Sequence, residues 1–190
     1  MPSNAFALLR MRNPQASQMA QTMTGGQFQA LRQLMLMTQA EAGAFLADRP
    51  VTERAVQYWE AGKRAIPEDA ARSLIALVLE RDRQMDKALA AIDADPTGAV
   101  VVWYRSEEDW TWRHQDLHFW KLHNSVAAAI FAAQLAELVT FDATAFVAWL
   151  REQVQQGTRM PALQAYQQHL EWAKSVAWGE NPAPTAKAGN

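Results

Sequence analysis

From Phe28 to Ala94 the apolar positions recur at helical intervals, broken by residues that start and stop helices. Phe28, Leu31, Leu34 and Met35 form one stripe and leave Gln29, Arg32 and Gln33 towards water. The run Thr38-Gln39-Ala40-Glu41 reads as a capping box, in which the Thr38 hydroxyl takes an orphan amide and the Glu41 carboxylate reaches back to the cap. A second helix therefore begins there, with Ala42, Phe45 and Leu46 inward and Gly43 admitting a neighbouring backbone. "ADRP" stops it, because the residue before a proline is pushed out of helical geometry. Thr52 restarts the chain as an N-cap, a third helix is expected over Glu53 to Ala61, and Gly62 supplies the left-handed residue after it. Pro67, Glu68 and Asp69 open a long fourth helix whose stripe is Leu74, Leu77 or Val78, Met85, Leu89 and Ile92, ended by "DADPTG".

The pattern then changes. Ala99 to Tyr104 is dense in β-branched and aromatic residues and predicts a strand. Its partner is expected around Asp116 to Phe119, or in the same strand of a second subunit. Helices follow at Ser125 to Val139, at Ala143 to Gln156 with Phe146, Trp149, Leu150 and Val154 inward, and at Pro161 to Trp178 with Leu163, Tyr166, Leu170 and Ala173 inward. Gly157 and Gly179 end the last two. Residues 1–27 have weak periodicity and read as a mostly disordered leader, with Thr24, Gly25 and Gly26 as a loop into the helix that begins near Phe28. Residues 179–190 read as a disordered tail.

Composition narrows the chemistry. The chain has 190 residues, enough for one ordinary domain or two small ones. It has no cysteine, which removes thiol nucleophiles and thiolate zinc sites and agrees with a cytoplasmic location. The first residues lack the apolar core of a signal peptide, and the most apolar stretch, Val126 to Ala133, is far shorter than the roughly 20 residues a membrane helix requires. A formal net charge of -2 means that no global positive field draws nucleic acid. Any such affinity must come from a local basic surface, or from two subunits acting together.

The third helix offers such a surface. At 100° per residue, Arg54, Gln57, Tyr58 and Ala61 fall together, while Ala55, Val56 and Trp59 face the other way. Arg54 can fork onto guanine O6 and N7, Gln57 can bridge adenine N6 and N7, and Tyr58 can stack or hold phosphate. Gln39, at the start of the second helix, would face a phosphate, Thr52 stands at the tip of the third, and Lys63 and Arg64 would clamp flanking phosphates.

The order "TQAEAGAFLA", a turn, "TERAVQYWEAGKR" and "IPED" resembles the Cro/cI-type, xenobiotic-response-element helix-turn-helix. More narrowly, "FQALRQLMLMTQAEA", "QYWEAGKRAIPED" and "FWKLHNSVAAAIFA" are similar to the YdiL-like proteins and the related anti-CRISPR-associated repressors, over roughly Phe28 to Leu138. The resemblance implies a lambda-repressor-like helix-turn-helix domain followed by a small α+β dimerisation domain with one or two short strands; with the extra carboxy-terminal helices that the periodicity predicts, the chain is expected to be mainly α, with the DNA-binding domain over 28–94 and the dimerisation domain over 99–178. It also implies a homodimeric regulator of transcription, expected to be a repressor, whose partner is double-stranded DNA; two-fold symmetry then calls for an inverted-repeat operator, and no cofactor or small-molecule substrate is expected. Two features depart from the pattern. "ADRPVT" makes a longer turn than the usual short Gly-containing one, and the leader and the last two helices lie outside the resemblance.

Other chemistries find weaker support. His114, Asp116, His118 and His123 invite a metal, but His118 and His123 are five apart and misaligned on a helix, with Phe119 and Trp120 between them. Trp59, Trp149 and Trp172 sit on apolar faces as core, whereas Trp103, Trp110, Trp112 and Trp120 cluster around the strand as a dimer interface would require. No nucleophile with base and orienter, phosphate loop or supported acid pair indicates an enzyme. The rival reading is a protein-interaction module, an antitoxin or adaptor that holds a partner through Ser125 to Trp178.

Overall fold

The computed structural model describes residues 14–95, 98–111, 120–155 and 165–178. Among these the chain is mainly helical, with one two-stranded parallel sheet. It divides into two compact units, the first ending at Gln84 and the second starting at Met85, so the division falls inside a long helix.

The first unit contains α1 (Pro14–Gln21), α2 (Gly25–Leu34), α3 (Gln39–Phe45), α4 (Glu53–Glu60) and the first part of α5 (Glu68–Ala94), each of which buries apolar residues. The presence of α1 corrects the expectation of a disordered leader: Ala20 is buried with Ala71 and Ile75, and Met23, Leu31 and Ile66 pack around them. One small anchor in a Gln-rich segment leaves little periodicity to read. Residues 1–13 and the tail lie outside the described residues.

Helix α2 starts earlier than the pattern suggests. Thr24 is its N-cap, accepting the Gln27 amide at 3.3 Å, while the Gln27 side chain takes the Thr24 amide at 2.8 Å. Gly25 is thus helical, and it is there for space: a Cβ on it would lie 2.4 Å from the Trp59 carbonyl oxygen and 2.5 Å from that of Glu60. A Cβ on Gly26 meets nothing within 4 Å. Gly25→Ala should therefore lower the thermal midpoint, since backbone must shift, while Gly26→Ala should raise stability by about 0.4–1 kcal/mol through the unfolded chain. Melting curves of the two variants check the contrast, and equal midpoints would refute it.

Phe28 and Met35 are buried and Leu31 partly so, but Leu34 is exposed and Arg32 is buried, reversing the expectation for these two. In α3 the Thr38–Glu41 capping box forms, with Thr38 N–H donating to Glu41 Oε2 at 2.7 Å and Glu41 N–H to the Thr38 hydroxyl at 3.2 Å. Ala42 and Leu46 are buried there, whereas Phe45 is exposed, contrary to expectation. Gly43 abuts the turn, where a Cβ would come within 2.6 Å of the Val51 carbonyl oxygen. Helix α5 begins after Pro67, whose carbonyl accepts the Ala71 amide at 3.0 Å.

The second unit contains the rest of α5, β1 (Val100–Trp103), α6 (Glu107–Thr111), α7 (Trp120–Ala132), β2 (Glu137–Thr140), α8 (Ala143–Gln155) and α9 (Ala165–Trp178). The partner of β1 is β2, parallel, with Val100 opposite Glu137 and Trp103 opposite Thr140. The expected partner segment, 116–119, lies outside the described residues. The helix expected over 125–139 instead stops at Ala132. Gln134 turns left-handed (φ 58°), its amide donates to Phe131 O, and the Leu135 amide donates to Ile130 O, a six-to-one closure made without glycine. Leu138, Val139 and Thr140 are then released as strand.

One sheet face, Val100, Val102 and Val139, packs with Tyr104, Trp110, Phe141, Phe146, Trp172 and Ala173. The other, Val101 with Leu138, meets Val126, Ala127 and Ile130 of α7 and Met85, Ala88 and Ile92 of α5. Trp110 is buried in the first of these clusters and Trp120, partly buried, packs against it, so both contribute to the subunit's own core. Val154 is 73% exposed, against the inward position expected for it. Leu163, Gly157, Gly179, Trp112, His114, Asp116, His118 and the Tyr166 side chain lie outside the described residues. Among those described, no three His, Cys, Asp or Glu residues are grouped to hold a metal, and no helix is long and apolar enough to cross a membrane.

Candidate nucleic-acid interface

The geometry of α4 follows from which side of it is anchored. Val56 (0% exposed) and Trp59 (4%) are buried, and the Trp59 ring meets Phe28 of α2 edge to face at 5.9 Å. Arg54 and Gln57 on the opposite side are exposed, and Tyr58 is half-buried between the two. Thr52 is the exposed N-cap, in extended conformation, and its hydroxyl makes no capping bond.

At the far end Gly62, in the left-handed region (φ 68°), folds the chain back. The Lys63 and Arg64 amides both donate to the Tyr58 carbonyl, at 2.9 and 3.2 Å. This reversal returns two cations to the ring they follow in sequence. The Arg64 guanidinium lies 5.2 Å, the Arg54 guanidinium 5.5 Å and the Lys63 ammonium 5.9 Å from the centre of the Tyr58 ring. Arg54 Nε–H also donates to the Tyr58 hydroxyl at 2.9 Å. Each contact of a cation with a ring that solvent still reaches contributes about 0.5–1 kcal/mol, which offsets part of the repulsion between three like charges. The result is a compact cationic surface with an aromatic centre.

Of the seven sequence-predicted residues, Arg54, Tyr58, Lys63 and Arg64 therefore come together. Gln57 shares their helix, with its amide 3.4 Å from Glu53 Oε1, and Thr52 stands at the helix start. Gln39 is the first residue of α3, and its Nε2 donates to Glu60 Oε2 at 2.7 Å. Sequence reasoning missed what holds this arrangement. Arg32 of α2 donates Nε–H to Glu60 Oε1 at 2.6 Å, and its other nitrogens reach Glu60 Oε2 and the Met37 carbonyl. The two side chains are only 9% and 5% exposed. A signal was available: Arg32 is four residues after Phe28, in the phase of the buried stripe.

The sequence model of the Aca2/YdiL-like family matches residues 23–139, from the residue before the α2 cap to the penultimate residue of β2. The chain belongs to that family. It is 30% identical over 122 residues to the Aca2 repressor of Pectobacterium phage ZF40, an alignment that covers 62% of this chain and 100% of that protein. It is 28% identical over 118 residues to the uncharacterized protein YdiL of Escherichia coli (strain K12), covering 61% of this chain and 99% of the relative. The family match contains α2, α3, α4 and the Tyr58 cluster, while α1, α8 and α9 lie outside it.

Proposed function

We propose that the protein is a transcriptional repressor that binds double-stranded DNA as a homodimer, with α3 and α4 as its helix-turn-helix and α4 entering the major groove. On this reading residues 28–94 bind DNA, residues 99–178 join the subunits, and the protein works in the cytoplasm without a cofactor. The observation that carries it is the convergence of Arg54, Lys63 and Arg64 on Tyr58, on the exposed side of a helix whose other side is fixed by Val56 and Trp59. Its relation to a protein named as a repressor points the same way. Arg54 spends only Nε on Tyr58, so its terminal N–H groups are directed to a guanine edge, and Gln57 one turn along reads an adenine. Lys63, Arg64 and Thr52 bind flanking phosphates, and Gln39, already tied to Glu60, sets the start of α3 against the backbone. Two-fold symmetry then requires an inverted repeat with half-sites about 34 Å apart.

A footprint on the DNA upstream of the protein's own gene tests the proposal, with gel shifts of variants on the protected sequence. Arg54→Ala or Gln57→Ala should cost about 1–3 kcal/mol and relax specificity at one position, while Lys63→Ala weakens all sequences alike and lowers the salt slope by about 1. Unchanged operator affinity in the Arg54→Ala/Gln57→Ala double variant, with its circular dichroism intact, would overturn the assignment of α4. A stoichiometric protein partner with no protected DNA would favour an adaptor instead.

A further inference from the structure

The two strands of the sheet are not equally finished at their outer sides. The Glu137 amide donates to Ala99 O at 3.0 Å and the Phe141 amide to Trp103 O at 2.8 Å. Odd-numbered residues of both strands therefore turn their main-chain groups towards each other, and even-numbered ones turn outward. On β1 three of the outward groups, towards the end of the strand, are occupied. His123 Nε2 lies 2.8 Å from Val102 O, and the Asn124 side chain closes on Tyr104 from both directions, donating to its carbonyl at 2.7 Å and accepting its amide at 3.1 Å. Two adjacent side chains of α7 stand in for a third strand. On β2 the outward groups belong to Leu138 and Thr140, and among the described residues nothing bonds them.

We propose that this open edge of β2 is where a second copy of the chain docks, strand to strand and antiparallel about a two-fold axis at Val139. The inference rests on the homodimer of the proposed function and names its interface. The edge is self-complementary in this register: the outward N–H and C=O of Leu138 meet those of Thr140 of the partner subunit, and the reverse, joining two parallel pairs into one four-stranded sheet. Glu137, the one charged residue of the strand, then falls opposite Phe141 of the partner subunit, so no like charges meet. The strand carries none of the lysine or proline with which edges are commonly blocked. Phe131 and Leu135, 49% and 44% exposed, lie just before it in the chain. A pair of four-residue strands is also short for a sheet, and two added strands extend it.

The full chain tests this by sedimentation and by cross-linking. Thr140→Pro removes an outward amide without touching the ladder to β1, and it should raise the dimer dissociation constant roughly tenfold or more. The chain has no cysteine, so Val139→Cys introduces one thiol per subunit. The register sets the two Val139 positions face to face, with Cα atoms about 4.5 Å apart, inside the disulfide range of about 4.4–6.8 Å. Oxidation with copper phenanthroline should give a covalent dimer quickly for Val139→Cys and slowly for Thr140→Cys, whose neighbour across the axis is Leu138. Should Thr140→Pro fail to fold, the cross-link still decides. A dimeric Val139→Cys protein that does not cross-link would overturn the edge while leaving the homodimer standing. A monomeric wild-type chain would overturn both.

Discussion

Arg32→Met is expected to destabilise the first unit by about 3–5 kcal/mol, because it strands the Glu60 carboxylate in a site where that side chain is 5% exposed. The pair is bidentate, and Arg32 also holds the Met37 carbonyl that follows α2, so one guanidinium ties α2, the following turn and the end of α4. Gln39 alone cannot replace it, since an amide donor does not neutralise a carboxylate. The double variant Arg32→Met/Glu60→Met should lose much less than either single change would suggest, as apolar side chains of similar volume often substitute for a buried ion pair at little cost. Hydrogen exchange of the α2 and α4 amides, with the four proteins treated as a double-mutant cycle, reads both quantities. A single-variant loss under about 1 kcal/mol would mean that water reaches the pair. If the proposed function holds, operator affinity should fall with stability, because Lys63 and Arg64, two of the three cations on Tyr58, follow Glu60 directly in the chain.

The parts of this fold legible in the sequence are those where one residue type carries a strong local preference. Thr38 with Glu41, Gly62 and Pro67 each mark a helix end in the right place. The parts that were not legible are those decided by packing. Leu36 and Gln134 hold left-handed conformations (φ 56° and 58°) that non-glycine residues seldom adopt, and without that turn at Gln134 the alanine-rich α7 reads on through β2. The site divides similarly. Arg54 and Tyr58 are four apart on one helix and were paired by periodicity alone, but the return of Lys63 and Arg64 depends on a turn whose direction only the fold fixes. Arg32 and Glu60 were unreadable as partners, because a buried charge makes sense only once its counter-charge is known to be adjacent.

Trp172→Ala should cost the second unit about 3–5 kcal/mol, although Trp172 lies outside the residues that match the family. The ring is 3% exposed and meets Phe141 at 5.5 Å and Phe146 at 6.0 Å, both near edge to face. Beside it Ala173 is fully buried, and the His169 ring lies 4.4 Å from Phe141, with its Nδ1 2.7 Å from the Tyr104 hydroxyl. These contacts cover the face of the sheet formed by Val100, Val102 and Val139, so α8 and α9 complete a core that the family-matched segment leaves open on this side. Removing the indole leaves a cavity that the surrounding aromatic rings cannot fill by small shifts. Val154→Ala on the neighbouring helix, at a position 73% exposed, should change stability by less than about 0.5 kcal/mol and serves as the control. Amide exchange in β1 and β2 separates the two variants. Protection in the strands that survives loss of the indole would show that the sheet stands without α9, and that the extension is only laid over it.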